Sequence, residues 1–213
     1  MKIYLNGPIR GLSGKLGNVV ASHWKGIPYL RSLPKKSNKP PTPAQLGVQA
    51  RFALAIHLLS PIKEVLNLGY SHKKLTRMSG YNAAVKTFLT NNSITGTYPA
   101  LEVDFSKLQL SRGLLRPLND VTGSYMKGSL CLSWKYSENR FMSFPDDEVI
   151  ALVYNQTSKA YHMRASVQRR AQQLKMNPGA QAGDRLHVWV FATSHDQEAV
   201  SYSQYIGQFN VIE

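Results

Sequence analysis

The chain has 213 residues, with 26 Lys or Arg against 12 Asp or Glu and a formal net charge of +14. A hydrophobic fraction of 43% excludes global disorder, and the length allows one large domain or two small ones. The single cysteine, Cys131, excludes an intrachain disulfide framework and a cysteine-rich zinc site.

The sequence contains no evident targeting segment. Residues 1–7 contain one lysine and no apolar run, so we do not predict a signal peptide. The longest apolar stretch, Phe52–Leu59, is far shorter than the roughly 20 residues that a membrane-spanning helix needs. We expect no membrane contact and a cytoplasmic location; incorporation in a particle, or export without a signal peptide, is equally compatible with this pattern.

The positive charge is concentrated in the N-terminal half. Residues 1–101 contain 14 Lys or Arg and one acid, Glu64, whereas residues 102–213 contain 12 Lys or Arg and 11 acids. The first 63 residues contain no acid, so their basic side chains have no counterion nearby in the sequence. Such a field attracts an anionic partner.

Residues 1–41 are predicted to form a basic arm. Glycines recur every three or four residues near its start, which predicts a loop, and they are Gly7, Gly11, Gly14 and Gly17. Residues 18–24 and 27–32 flank Lys25-Gly26, a spacing typical of a β-hairpin, and Pro28 predicts that the second strand lies at a sheet edge. Residues 33–41 contain several prolines and lysines, which predicts an extended surface linker.

Three helices are predicted over residues 42–97. The first begins at the capping sequence Thr42-Pro43-Ala44-Gln45 and continues to about Leu59. The second covers residues 61–68, and the third follows the capping residue Ser79. We expect the first helix to be covered on both sides, and its principal apolar face consists of Val48, Phe52, Ile56 and Leu59. The apolar face of the third consists of Tyr81, Ala84, Val85, Phe88 and Leu89.

From Tyr98 onward the hydrophobic period changes to two, which predicts β-strands. Turns separate these strands at the spacing of a β-sandwich. The predicted strands cover residues 101–110, 129–136, 148–155, 186–193 and 202–212. The loop Asp196-Gln197-Glu198 is predicted to join the last two strands, and residues 166–176 have a helical pattern.

The C-terminal segment resembles a fibronectin type III module. The similar stretches are Leu132-Ser133-Trp134, residues 184–192 and Val200-Ser201-Tyr202-Ser203, which look like strands B, F and G of that module. The expected fold is therefore α+β, with a basic N-terminal β-hairpin arm and helices followed by a C-terminal antiparallel β-sandwich of the fibronectin III/Ig-like type. The expected segments are residues 1–41, 42–97 and 98–213.

The whole chain is similar to a family of small basic Bacteroidota proteins whose function is unknown. The stretches that carry this resemblance extend along the whole chain, and they are residues 14–20, 24–26, 31–37, 41–46, 81–84, 96–99, 111–113 and 205–207. Because that family has no known activity, the resemblance implies no function.

Patterns that would indicate catalysis are incomplete in this sequence. A P-loop would need other residues at Ile9 and Leu16, although the turn at residues 11–14 could still offer backbone N–H groups to a phosphate. Ser194-His195-Asp196 contains the residue types of a catalytic triad, but adjacent residues on a turn cannot form a relay. Asp146-Asp147-Glu148 precedes a predicted strand and is interpreted as a solvated turn.

The cysteine and histidines also give no indication of a reactive or metal site. Cys131 alternates with two leucines in a predicted strand and is interpreted as a core residue. His187 and His195 have no third ligand at a metal-binding spacing. We therefore predict no catalytic residue, no metal and no cofactor, which means that the protein is not expected to be an enzyme.

The remaining candidate site is a set of basic and aromatic residues on the predicted hairpin and linker. Its members are Lys15, His23, Trp24, Lys25, Tyr29, Arg31, Lys35, Lys36 and Lys39. One hypothesis is that they dock onto a second copy or another protein, with Trp24 and Tyr29 as anchors and the lysines against acidic groups. The chain would then be a homo-oligomer or an assembly subunit.

A second hypothesis is that these residues bind nucleic acid, with lysines on phosphates and the two aromatic rings available for stacking. In a third interpretation they form only a solvated basic surface, with Trp24 in the core. The sequence alone leaves these alternatives open, and it does not identify the partner.

Overall fold

The computed structural model describes residues 3–4, 13–24, 26–35, 39–71, 78–138 and 142–211. The chain divides into two compact units, Met1–Thr42, which contains the arm, and Pro43–Glu213. We call the second unit the body.

The first unit contains a four-stranded antiparallel sheet, which we call the arm sheet. Its strands are β1 (Ile3–Tyr4), β2 (Gly14–Leu16), β3 (Val19–Trp24) and β4 (Ile27–Ser32), and their order across the sheet is β1-β4-β3-β2. Trp24 pairs with Ile27, which confirms the predicted hairpin and its two-residue connection.

Two predictions for the arm need correction. Pro28 was expected to place its strand at a sheet edge, but β4 pairs with β3 on one side and β1 on the other. The described pairing with β1 stops at Tyr29, so Pro28 lies one residue beyond it. Gly14 belongs to strand β2 rather than to a loop, because its pairing with Ala21 extends the sheet. Residues 5–12, which include Gly7 and Gly11, lie outside the described residues.

The helices begin close to their predicted positions. They are α1 (Pro43–Leu59), α2 (Lys63–Gly69) and α3 (Gly80–Thr90), with a 3-10 turn at Ser60–Ile62 between the first two. The hydroxyl of Ser79 accepts a hydrogen bond from the backbone N–H of Asn82 at 3.2 Å, which confirms the predicted cap of α3. This bond satisfies one of the N–H groups that a helix start leaves without a backbone partner.

Replacing Ser79 with alanine is expected to lower the free energy of unfolding by about 1 kcal/mol, because the N–H of Asn82 loses its acceptor. Urea denaturation measures this loss. Ser158, an exposed turn residue that caps no helix, provides the control, and Ser158→Ala should change the stability by less than about 0.5 kcal/mol. Equal losses in the two variants would show that the cap contributes nothing.

The body contains two sheets that pack face to face, which confirms the predicted α+β fold and its sandwich. Their strands are β7 (Asn119–Met126), β8 (Ser129–Lys135), β9 (Glu148–Asn155), β10 (Ala160–Gln168), β11 (Gln173–Met176), β12 (Arg185–Thr193) and β13 (Gln204–Asn210). One sheet has the order β11-β8-β7 and the other β10-β9-β12-β13, with all pairings antiparallel. A separate hairpin consists of β5 (Ile94–Thr97) and β6 (Ala100–Val103).

The two central strands of the four-stranded sheet, β9 and β12, are buried on both faces. One face of β9 and β12 packs against the three-stranded sheet, through residues that include Val153, Val188 and Leu132. The opposite face packs against the helices, through residues that include Trp189 and Phe88. Burial on both faces explains why β9 and β12 are apolar at nearly every position. The helices and the sandwich therefore share a core and form layers of one unit.

The helical run Pro43–Gly69 has the length and composition of a membrane-spanning helix, with a mean hydropathy of 1.2. It is interrupted by the 3-10 turn, and its buried residues, such as Leu59 and Leu66, belong to the core shared with the sheet. The expectation that α1 is covered by other elements on both sides is wrong, because Val48 is 68% exposed and Phe52 is 53% exposed.

Sequence periodicity missed four strands of the body. The strands β5, β7, β10 and β11 were not predicted, and residues 166–176 contain the end of β10, a 3-10 turn and β11 instead of a helix. In β7 the inward positions are only half-buried, and they include Asn119 and Gly123 as well as Val121 and Tyr125, which weakens the apolar alternation. The interpretation of residues 166–176 failed because the helical pattern coincides with the short 3-10 turn at Arg169–Ala171.

Asp147 is a buried residue and not part of a solvated turn. It is 1% exposed, and its carboxylate lies 3.5 Å from the guanidinium of Arg169, which is 2% exposed. The guanidinium also donates to the hydroxyl of Ser143 at 2.6 Å and to the backbone carbonyl of Arg116. Burial raises the pKa of the Asp147 carboxyl. This ion pair joins three loops at one end of the sandwich.

Candidate interaction surface

The structure describes seven of the nine predicted interaction residues. Lys25 and Lys36 lie outside the described residues. The seven are Lys15, His23, Trp24, Tyr29, Arg31, Lys35 and Lys39, and all except the half-buried Tyr29 are exposed. Lys35 and Lys39 follow the arm sheet in segments without regular structure, so the sheet itself carries the other five.

Four of these residues lie on one face of the arm sheet, because paired residues of antiparallel strands point to the same side. Lys15 on β2 pairs with Val20 on β3, which pairs with Arg31 on β4. The two cations therefore lie on either side of Val20 in one cross-strand row. Ser22 pairs with Tyr29 in the next row, and Trp24 pairs with Ile27 in the third. We call this set the basic face, and its members are Lys15, Val20, Ser22, Trp24, Ile27, Tyr29 and Arg31.

The spacing of the basic face follows from strand geometry. Tyr29 and Arg31 are two residues apart on β4, a separation of roughly 7 Å. Trp24 and Tyr29 are diagonal neighbours on adjacent strands, at roughly 7–8 Å. An aromatic pair and a cation therefore lie within reach of one extended ligand.

His23 does not join this set, because it lies on the opposite side of the arm sheet, paired with Pro28. That side carries small and aliphatic residues, and we call it the apolar face. Its members are Gly14, Leu16, Val19, Ala21, His23, Pro28, Leu30 and Ser32. Sequence reasoning missed Leu16 and Val19, although their alternation with Gly14 and Ala21 was a usable signal.

No ion pair in the described part of the chain involves a cation of the basic face. The ion pairs in the described part of the chain all involve residues of the segment 104–169, which belongs to the body. None of them includes Lys15 or Arg31. Because the first 63 residues contain no acid, the charge of the arm is uncompensated within the arm. A positive charge without local compensation attracts anions.

Trp24 is not a core residue. Its side chain is 46% exposed, whereas Trp134 is 4% exposed and Trp189 is fully buried. Exposure of a tryptophan on a regular sheet is costly in water, because the ring could otherwise bury a large apolar area. The interpretation that placed Trp24 in the core is therefore wrong.

The patterns considered for catalysis have structural roles in the body. The hydroxyl of Ser194 donates to the carboxylate of Asp196 within a turn, while His195 is exposed. Among the described residues, no group of three His, Cys, Asp or Glu could hold a metal ion. Buried His187 is held by the hydroxyl of Tyr205 at 2.8 Å and by the side-chain oxygen of Gln156 at 3.2 Å.

Cys131 is exposed and was wrongly assigned to the core. Strand β8 alternates strictly, and its buried positions are Leu130, Leu132 and Trp134. The flanking leucines occupy the inner face, so Cys131 between them must face outward, beside its cross-strand partners Ser124 and Lys175.

Comparison with known proteins gives a family for nearly the whole chain. A family model with the description "Family of unknown function (DUF6266)" matches residues 11–207. No curated protein sequence is similar enough to be matched with the chain.

Solved structures of fibronectin type III domains are similar to part of the chain. The fn3 domain of the human collagen alpha-1(XX) chain has 15% sequence identity and a TM-score of 0.36, covering 46% of this chain and 86% of that domain. The FN5 domain of Drosophila Lar has 11% identity and a TM-score of 0.31, covering 46% of this chain and 95% of that domain.

Proposed function

The chain belongs to DUF6266, a family of unknown function, and we propose that it is a non-enzymatic interaction protein that self-associates or docks in a larger assembly through its arm. The body supplies a folded platform with its own cores, and the arm sheet supplies the contact surface.

The observation that carries this proposal is the lack of a core in the first unit. Among its described residues, Ala21 is the only buried apolar side chain. The large apolar side chains that are at least 36% exposed are Leu16, Val19, Trp24, Ile27 and Leu33. A sheet is stable when an apolar face is covered by a second layer, so a partner that covers the apolar face stabilises the arm.

The apolar face is suited to contact with another protein. Its described residues include no Lys, Arg, Asp or Glu, and Leu16 is 58% exposed beside Val19 on the neighbouring strand. Covering such side chains removes apolar area from water without removing a charge from water. A second copy of the chain offers the same surface, which makes a self-complementary contact possible.

Replacing both Leu16 and Val19 with threonine is expected to weaken self-association by at least about tenfold, since each buried aliphatic side chain contributes roughly 1.5–3 kcal/mol. Threonine keeps the strand preference of the chain, so the sheet should be retained. Native mass spectrometry at micromolar concentration should give a multiple of 23.8 kDa for the parent and mainly the single chain for the variant.

Leu114 in the body is 75% exposed and provides the matched control, so Leu114→Thr should leave the oligomer intact. Self-association would be contradicted if the parent has the mass of one chain and its oligomeric state is unchanged by removal of residues 1–41.

A further inference from the structure

The basic face has a chemistry that the proposed self-association does not use. It combines two exposed cations, Lys15 and Arg31, with an exposed indole, Trp24, and a neighbouring phenol ring, Tyr29. We propose that the basic face of the arm sheet binds single-stranded nucleic acid, with Lys15 and Arg31 on backbone phosphates and Trp24 as the principal surface on which a base stacks.

The charge distribution favours a polyanion over an acidic protein. A protein partner presents mixed charges, and its binding would not require that the arm lack acids. A nucleic-acid backbone carries a negative charge at every nucleotide, so each acidic side chain along its path would repel it. The first 63 residues contain ten Lys or Arg and no acid, and this pattern fits a partner that is uniformly negative.

The exposed indole favours a single strand over a duplex. In a duplex the faces of the bases are covered by their neighbours, whereas a single strand can place a base on an aromatic side chain. Trp24 is 46% exposed, and Tyr29 and Arg31 continue the same side of the sheet along β4. Stacking tolerates any base, so we expect little sequence preference.

This inference does not rest on self-association, because the two surfaces lie on opposite sides of the arm sheet. Loss of oligomerisation in the Leu16→Thr/Val19→Thr variant should leave strand binding by each chain in place. The failure of one proposal can therefore be distinguished from the failure of the other.

The test is a fluorescence-anisotropy titration of labelled single-stranded oligothymidylate with the full chain. Binding should be detectable at low salt and should weaken linearly on a plot of log affinity against log salt concentration. Replacing both Lys15 and Arg31 with glutamine should flatten that slope by roughly 0.7 for each phosphate that the variant no longer neutralises. The control replaces Lys127 and Lys175, two exposed lysines of the body, with glutamine, which removes the same charge from elsewhere.

The aromatic contribution is tested separately. Trp24→Ala should weaken oligothymidylate binding by about 10- to 100-fold, whereas Trp24→Phe, which keeps a ring, should retain most of the affinity. Tyr202→Ala removes a comparably exposed ring from the body and should have no effect. Heparin, which is a polyanion without bases, should bind the parent and Trp24→Ala equally well.

Three outcomes would overturn the inference. The first is the absence of binding to oligothymidylate at low salt. The second is an equal reduction of affinity in the Lys127→Gln/Lys175→Gln control, which would indicate attraction to net charge alone. The third is tighter binding of polyglutamate than of oligothymidylate, which would identify an acidic protein as the partner of this face.

Discussion

Replacing Arg169 with methionine is expected to lower the free energy of unfolding by about 3–5 kcal/mol, because it leaves the buried carboxylate of Asp147 without its counter-charge. The Arg169 side chain is 2% exposed, and its guanidinium contacts Asp147, Ser143 and the backbone carbonyl of Arg116. Methionine can fill part of the volume, but it cannot donate to any of these acceptors.

Urea denaturation at neutral pH measures this effect. The control is Lys135→Met, which breaks an ion pair of 2.9 Å with Asp120 whose side chains are 79% and 65% exposed. An exposed pair contributes at most about 1 kcal/mol, so the two losses should differ clearly. The double variant Arg169→Met/Asp147→Leu removes both charges and should recover part of the stability. Equal losses for Arg169→Met and Lys135→Met would contradict this account of the ion pair.

Lowering the pH from 7 to 4 is expected to remove about 3 kcal/mol of folding stability through His187 alone. Burial lowers the pKa of His187 to about 4 from the usual 6.5, so the folded state disfavours its protonated form. Well above pH 6.5 the histidine is neutral in both states and the stability is fully present. As the pH falls toward 4 the unfolded chain gains a proton that the folded chain resists, and the stability is lost.

The structural cause is the packing of the imidazole ring. His187 stacks on Phe105 with a ring separation of 4.1 Å, and its two nitrogens are held by Tyr205 and Gln156. Chemical denaturation at a series of pH values should show a flatter profile for His187→Gln, with exposed His195→Gln as the control. Because the pKa values of Asp184 and Asp196 are lowered by hydrogen bonds, carboxylates add a loss at lower pH, so the comparison is most specific between pH 6.5 and 5. Parallel profiles for the parent and His187→Gln would contradict the assignment.

Local sequence signals predicted the elements whose structure depends on near neighbours. The hairpin around Lys25-Gly26, the cap at Ser79 and the helix start at Pro43 each follow from residues within one or two turns of the chain. The strands β8, β9 and β12 were also evident, because their apolar runs reflect burial that leaves a strong composition signal.

Features that depend on distant partners could not be predicted in this way. Asp147 and Arg169 are 22 positions apart, and nothing near either one indicates that the two side chains meet in the interior. The exposed side of α1, with Val48 and Phe52, was mistaken for core because apolar residues surround the helix almost completely. Cys131 was misassigned for a different reason, since strict alternation already placed it opposite its leucine neighbours.

The candidate surface was only partly predictable. Composition identified the basic and aromatic residues of the arm, but the pairing of β2, β3 and β4 is needed to separate His23 from Lys15, Trp24 and Arg31. That pairing also reveals the apolar face, because a shift of one residue in register would exchange the two sides.

Acrylamide quenching of tryptophan fluorescence tests most directly whether the chain acts through the basic face. Trp24 is 46% exposed, while Trp134 and Trp189 are buried, so the quencher should act mainly on Trp24 in the free chain. Saturating oligothymidylate should abolish most of this quenching, and Trp24→Phe should show little quenching with or without the strand. Trp24 emission that stays equally accessible to acrylamide while the strand is bound would contradict the account.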